Sequence, residues 1–597
     1  ARWQQWLRMR PDGQGHVVSI AGAAEVAVEE RGRLSGAELH LWLDTVKETG
    51  AAAPRPAAAA GPDLSRIRPA RMLARGMVEA DAPQAAVRTD RLELWFRHEP
   101  PAPPAPAAGP AVAAAPGAAP PAAAPPRRPD GGGRKLAAQA GLVRGLVVME
   151  AEGGRLEEMS MEGQVHLVEQ PQAADAGEPG VEILGDQLQL SRAERFDARA
   201  VVSGRPARVR GKGLDLEGPL VEFDRGRNRM TVDGAGRLGL PLAEGGSGLE
   251  AFGFTGPSAP AAAGGPPGRL DVSWQGRLDF DGLTARFVDQ VVAKTAATTV
   301  QSGSLDVVFD RPFEFGATRA GGRQPDVVRV ACGSKVRIES RSTQADGGRS
   351  VEQLFVRDLV IDRATGDVTG TGPGRLTSTR VGQPPAMSLP AGPAGPGGVP
   401  ARAVAAPRRA DELTYLGVDF QRGMRGNLNR RGMEFHQRVE AIHGPVAGWD
   451  DTLDPHAPGS LPAGVVKITS DLLTVGQTPP LPGQERATIE LGAGGNVLVE
   501  GEAFTARSAR LTWSEAKDLL VFEGDGRADA QLFRQLKPGA QPDSMASEKI
   551  LYWIRQNRVD VEGVRYLDLD RMPGGGPVRG LPGGGQPQIA PRPLPGT

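Results

Sequence analysis

Three segments of the chain align with one another without gaps, and this repetition constrains the fold more than any single residue does. They are EFDRGRNRMTVDGAGRL (222–238), VIDRATGDVTGTGPGRL (360–376) and TWSEAKDLLVFEGDGRA (512–528), offset by 138 and then 152 residues. Each begins with an apolar residue before an Asp or Ser: Phe223-Asp224, Ile361-Asp362 and Trp513-Ser514. A four-residue polar turn and an outgoing strand follow. Each closes on Gly-x-Gly-Arg, at Gly234 to Arg237, Gly372 to Arg375 and Gly524 to Arg527. The pattern predicts a β-hairpin whose polar turn reverses the chain. The paired glycines predict a bulge or a close backbone approach at the strand's end.

Alternation carries the same message elsewhere. It puts Leu92, Leu94 and Phe96 on one face, and likewise Val221 with Phe223, Met230 with Val232, and Leu520 with Phe522. A second recurring unit, small-polar-x followed by alternating apolar residues, appears at 36–43, 89–96, 185–190, 302–309 and 547–554. A third reads Phe-x3-Val-x-Ala, at Phe287/Val291/Ala293 and Phe435/Val439/Ala441. Helical periodicity is scarce, and its best candidates, 351–360 and 547–556, read as strands because they hold β-branched and aromatic residues. The expected fold is mainly β: stacked short antiparallel strands with Gly, Asp and Asn punctuating them every 6–12 residues.

The apolar and Ala/Pro-rich stretches divide the 597 residues. Gly (81) and Pro (53) are numerous enough to supply linkers of low complexity. A stretch such as PPAPPAPAAGPAVAAAPGAAPPAAAPP has too little side chain to offset the entropy of ordering. The expected layout is β layers at 1–99 with a short Ala/Pro insert at 50–62, a linker at 100–133, β repeats at 134–242, 268–381 and 410–571 separated by linkers at 243–267 and 382–409, and a Gly/Pro tail at 572–597. A net charge of −1 argues against a nucleic-acid partner. The single cysteine, Cys332, excludes a disulfide within the chain and a Cys-based zinc site. No run of about 18 apolar residues is present to span a membrane as a helix. The chain starts Ala-Arg-Trp without an initiator Met, which leaves a signal peptide or anchor ahead of Ala1 as an expectation.

The order of these units resembles the OstA-like superfamily, which includes the periplasmic lipopolysaccharide-transport proteins LptA and LptC. The closest stretch runs from Gly495 to Gly563: GNVLVEGEAFTARSARLTWSEAKDLLVFEGDGRADAQLFR, then SMASEKILYWIRQNRVDVEG. Weaker echoes lie at 17–43, 181–240, 268–309 and 413–446. The resemblance implies an elongated open β-jellyroll, or β-taco, in which two sheets lean together over an apolar cleft that holds acyl chains. It implies a non-enzymatic periplasmic protein without cofactors, anchored to the inner membrane by any segment ahead of Ala1. That protein would bind or bridge lipopolysaccharide or a similar lipid between inner and outer membrane. Its further partners would be other OstA-like envelope proteins, or itself, through strand-edge pairing. The lipid-facing positions it implies are Phe223, Met230, Val232, Trp274, Phe280, Phe287, Phe435, Trp513, Phe522 and Tyr552. Each buried methylene is worth about 0.8 kcal/mol, so a chain of a dozen carbons resists entering water by roughly 10 kcal/mol.

Other chemistry is weakly supported. GAGRLG (234–239) matches a dinucleotide fingerprint, but LPLAEGGSG follows it where a helix must start. WDDTLDPH, with Asp450, Asp451, Asp454 and His456, offers metal-ligand types at a spacing that reads better as a turn. Arg237, Arg375 and Arg527 read as solvated strand ends ahead of phosphate ligands. Two rivals to lipid carriage remain. One is an envelope-spanning β scaffold whose cleft is filled by its own side chains. The other is a polysaccharide-active enzyme on a β-helix, which needs paired carboxylates that the repeats lack.

Overall fold

The computed structural model describes residues 1–45, 67–98, 154–169, 180–241, 269–312, 325–343, 349–381, 413–478, 488–534, 543–553 and 558–568, apart from short gaps at 14, 29–31, 84, 194, 212–213, 458–460, 503, 515 and 518. The expected linkers at 50–62, 100–133, 243–267 and 382–409, and the tail at 572–597, lie outside the described residues. Every regular element among the described residues is a β-strand. The stretches at 351–360 and 547–556 are strands where described, in Arg349–Val356, Asp358–Asp362 and Asp543–Trp553. The described residues form two compact units, one within 1–242, 269–293 and 304–327, the other within 294–303 and 328–597.

Within the first unit, the strands from Trp6–Asp12 to Leu214–Asp224 pair antiparallel in chain order. Ala85–His98 pairs with Gly154–Glu169, and Gly236–Pro241 pairs with Arg269–Trp274. In the second unit Gly374–Val381 pairs with Leu413–Phe420 over its full length. The Ala/Pro-rich stretches therefore lie between strands that are hydrogen-bonded neighbours. They lengthen hairpin connections and leave the ladder intact, which is where insertions cost least.

The strands differ from expectation in length. Runs of five or six alternating residues are halves of longer strands, such as Ile67–Ala82 and Gly154–Glu169, which bend near the middle. At the bend two successive residues take positive φ, and the register to the neighbour shifts. Examples are Gly76-Met77 (φ 76°, 45°), Gly163-Gln164 (79°, 46°) and Gly495-Asn496 (74°, 49°). The left-handed region costs a non-glycine residue roughly 1–2 kcal/mol, which explains the recurring glycine at the first position. At Gly163 space adds to conformation, because a Cβ there would sit 2.2 Å from Asp90 Oδ2.

Elsewhere the bend divides the strand completely. Leu214–Asp224 pairs with Arg229–Asp233 along one half and with Gly236–Pro241 along the other. Arg269–Trp274 and Arg277–Phe280 continue those two arms in the next layer. Val327–Gly333 and Val336–Thr343 split likewise around Ser334-Lys335 (φ 62°, 61°). Each unit is thus a meander folded along its midline, with every layer giving one segment to each of two arms.

Candidate functional site

The register places apolar residues in unbroken columns across the strands, one layer every ~4.8 Å. On one arm of the first unit the column runs Ile20, Leu39, Ala74, Leu92, Met161, Leu188, Val202, Val221, Val232, Leu278, Phe287, each the direct cross-strand partner of the next. On its other arm it runs Leu34, Ala80, Val87, Leu167, Ile183, Val209, Leu216, Leu238, Val272. All of these residues are buried.

The second unit repeats the arrangement. One arm carries Val300, Ile338, Leu354, Leu376, Val418, Ala441, Ile468, Val499, Ala506, Leu532 and Met545. The other carries Leu359, Gly370, Met424, Phe435, Leu473, Ala493, Leu511, Phe522 and Ile550. Gly370 interrupts that column only nominally, because the Met424 side chain fills the space where a Cβ would stand. These columns are what period-two alternation becomes when each layer adds its apolar positions in register.

All ten residues singled out from the sequence lie in or beside these columns. Phe223, Met230 and Phe280 are successive partners, as are Val232, Leu278 and Phe287. Phe435 and Phe522 share a column in the second unit, where Trp513, Leu520 and Tyr552 form another. Nine are no more than 6 % exposed, and Phe223, beside the turn at 225–228, is half-buried. The columns therefore bring together residues from each unit separately.

The two arms meet near the bend through aromatic rings. Trp274 and Phe287 sit with centroids 5.3 Å apart, on segments belonging to opposite arms. Phe420 and Phe435 repeat this in the second unit, also at 5.3 Å. Such pairs add roughly 0.5–1.5 kcal/mol beyond the area they bury. Phe287 and Phe435 each open a Phe-x3-Val-x-Ala unit, and its middle holds the left-handed bend, Asp289-Gln290 in one case and Gln437-Arg438 in the other. That repeat is thus the sequence trace of the bend with its buried flanks.

The second glycine of Gly-x-Gly-Arg is explained by the opposite ring. A Cβ at Gly236 would lie 2.5 Å from the Trp274 ring, and one at Gly374 would lie 2.4 Å from Phe420 Cζ. Trp274 Nε1 also donates to the Gly234 carbonyl at 3.0 Å. The third repeat departs here, since Gly526 faces open space. Sequence reasoning anticipated a close approach but not the aromatic partner, which comes from another layer.

Polar atoms on the inward side are few. The Trp513 ring is 1 % exposed, and its Nε1 finds no hydrogen-bond partner among the described residues. Ser470 Oγ and Ser302 Oγ are buried and similarly unpartnered there. A buried donor left unmade costs about 1–3 kcal/mol.

The charged residues lie mostly outside. Arg237 donates to Asp271 at 3.0 Å, and Arg269 donates to both Asp271 and Asp215 at 3.1 Å. Burial pushes Asp271 up, but the hydrogen bonds from Arg237 and Arg269 outweigh it and hold the carboxyl below its usual value. Arg375 donates to the Tyr415 hydroxyl at 3.1 Å, and that bond raises its pKa. Burial raises Asp419, with Arg375 pulling the other way. The Arg527 backbone N–H donates to Asp525 at 2.8 Å.

In WDDTLDPH, Asp451 accepts from the Gly448 N–H at 2.7 Å and Asp454 from the His456 N–H at 2.9 Å, as turn residues do. No group of three His, Cys, Asp or Glu residues among the described ones is placed to hold a metal ion. Comparison with protein-family models gives no match, and comparison with curated proteins gives none.

Proposed function

We propose that this chain is a non-enzymatic periplasmic β-jellyroll that binds lipopolysaccharide, or a lipid of similar acylation, and bridges it between inner and outer membrane. The observation that carries the reading is the set of uninterrupted apolar columns on both arms of each unit. A carrier needs successive apolar positions of similar depth, so that an acyl chain can advance without crossing water. The orphaned indole N–H of Trp513 fits the same picture, because an acyl ester or amide carbonyl would satisfy it. The inward residues cover one another here, so lipid entry requires the arms to part at their free margins while the aromatic pairs near the bend hold.

Partners follow from the strand edges. Trp6–Asp12 pairs on one side with Gly15–Val28, and its Leu7 and Met9 continue the inward columns while 47 % and 54 % exposed. An OstA-like partner, or a second copy, would add a strand there and cover them.

The scaffold reading is favoured by a different observation, the filling of the space between arms by Trp274–Phe287 and Phe420–Phe435. Acyl quenching separates the two. A lipid A analogue with brominated acyl chains is expected to quench tryptophan emission of the full chain, and Trp513→Phe is expected to remove a share of that quenching. Absence of quenching, or quenching that Trp513→Phe leaves unaltered, would contradict carriage along these columns.

A further inference from the structure

On the outer face of the second unit, the loop after Val446 arches back over the sheet. Val446, Leu453 and Leu461 pack on a small core of Tyr415, Ile442 and Val465, which anchors the loop. Between that loop and the strand Val336–Thr343 lies a groove of about 640 Å³, within the ~300–1,000 Å³ usual for ligand sites. A second cavity of about 500 Å³ shares Gln353, Thr377 and Thr452 with it and extends the groove toward Phe355 and Arg375.

We propose that this groove binds a short saccharide bearing carboxylate or phosphate groups. Its lining includes the amide of Gln353 and the hydroxyls of Thr377 and Thr379, groups that exchange hydrogen bonds with sugar hydroxyls. One wall carries Trp449, 36 % exposed, a face on which a pyranose ring can stack. Beside it the exposed carboxylate of Asp450 can accept from sugar hydroxyls. The opposite wall carries Arg337, Arg341 and Arg349. Arg341 is taken by Glu339 at 2.9 Å and Arg337 stacks over the Phe355 ring, so Arg349 is the lining cation left to meet an acidic substituent. The strands under the groove are paired on both sides, which leaves no edge for an extended peptide to join.

The ligand's acidic sugar is the same chemistry whether it comes free or as the headgroup of a glycolipid, and the inference is independent of lipid carriage on the inward face. The test titrates the full chain calorimetrically with hexagalacturonate and with neutral maltohexaose, and separately with phosphatidylcholine vesicles containing a sialylated glycolipid. Hexagalacturonate is expected to bind and maltohexaose to bind at least tenfold more weakly. Trp449→Ala and Arg349→Ala, both at exposed positions, are each expected to weaken binding at least tenfold with an unchanged circular dichroism spectrum. Binding to the vesicles alone, with the same losses in both variants, assigns the headgroup as the source. Binding to none of these probes, equal binding of maltohexaose, or binding that both variants leave unchanged overturns the proposal. Trp513→Phe is expected to leave the titration unaltered.

Discussion

Replacing Val232 with Asp is expected to unfold the layers around it. Val232 is fully buried in its column, between Val221 and Leu278, and its Cγ1 occupies the space above Gly218. A carboxylate there has no cation within the column and must either lose its charge or admit water. The cost of an unpaired buried charge, added to the loss of a packed valine, is expected to exceed about 4 kcal/mol. Urea unfolding followed by circular dichroism should show the loss, and limited proteolysis should open 182–280. The neighbouring Asp233→Asn alters only an exposed ion pair with Arg277 and is expected to shift stability by less than about 0.5 kcal/mol. Equal effects of the two changes would mean that the column is not the core.

Gly236→Val is expected to be nearly as damaging, for a steric reason. The new Cβ would meet both the Trp274 ring and the Glu217 carbonyl oxygen, at 2.5 and 2.6 Å, and the backbone oxygen cannot swing aside. Trp274 would have to leave its bond to Gly234 and its contact with Phe287. About 3 kcal/mol of destabilisation is expected, at the upper end for overpacking because the ring pair is lost too. A double-mutant cycle with Trp274→Ala checks the cause. The two changes should be clearly less than additive if the ring is what the valine strikes. Strict additivity would place the strain in the backbone instead.

These positions also separate what is written locally in the chain from what is not. The alternation around Val221, Met230 and Leu520 was legible, because burial of one face is written locally at period two. The stacking of those faces into columns was legible as repetition. The bends were not. Glycines in general read as punctuation between strands, yet at Gly76, Gly163 and Gly495 the ladder continues through them. A glycine at positive φ reports a change of direction without saying whether pairing resumes. The same limit hid the strand lengths. Ring partners such as Trp274 for Gly236 were invisible because they depend on which layers become neighbours. The groove beside Trp449 rests on a loop folding back over a sheet, and WDDTLDPH gave only its turns.

The functional reading rests on whether acyl chains lie against the inward columns, and adjacent positions on one strand test it. In Phe504–Ser514 the side chain of Trp513 points inward and that of Thr512 outward. A photo-crosslinking residue placed at 513 in the full chain, exposed to labelled lipopolysaccharide, should capture the lipid, while the same residue at 512 should not. Equal capture at both positions, or capture at neither, would contradict carriage along the columns and leave the filled scaffold as the better account.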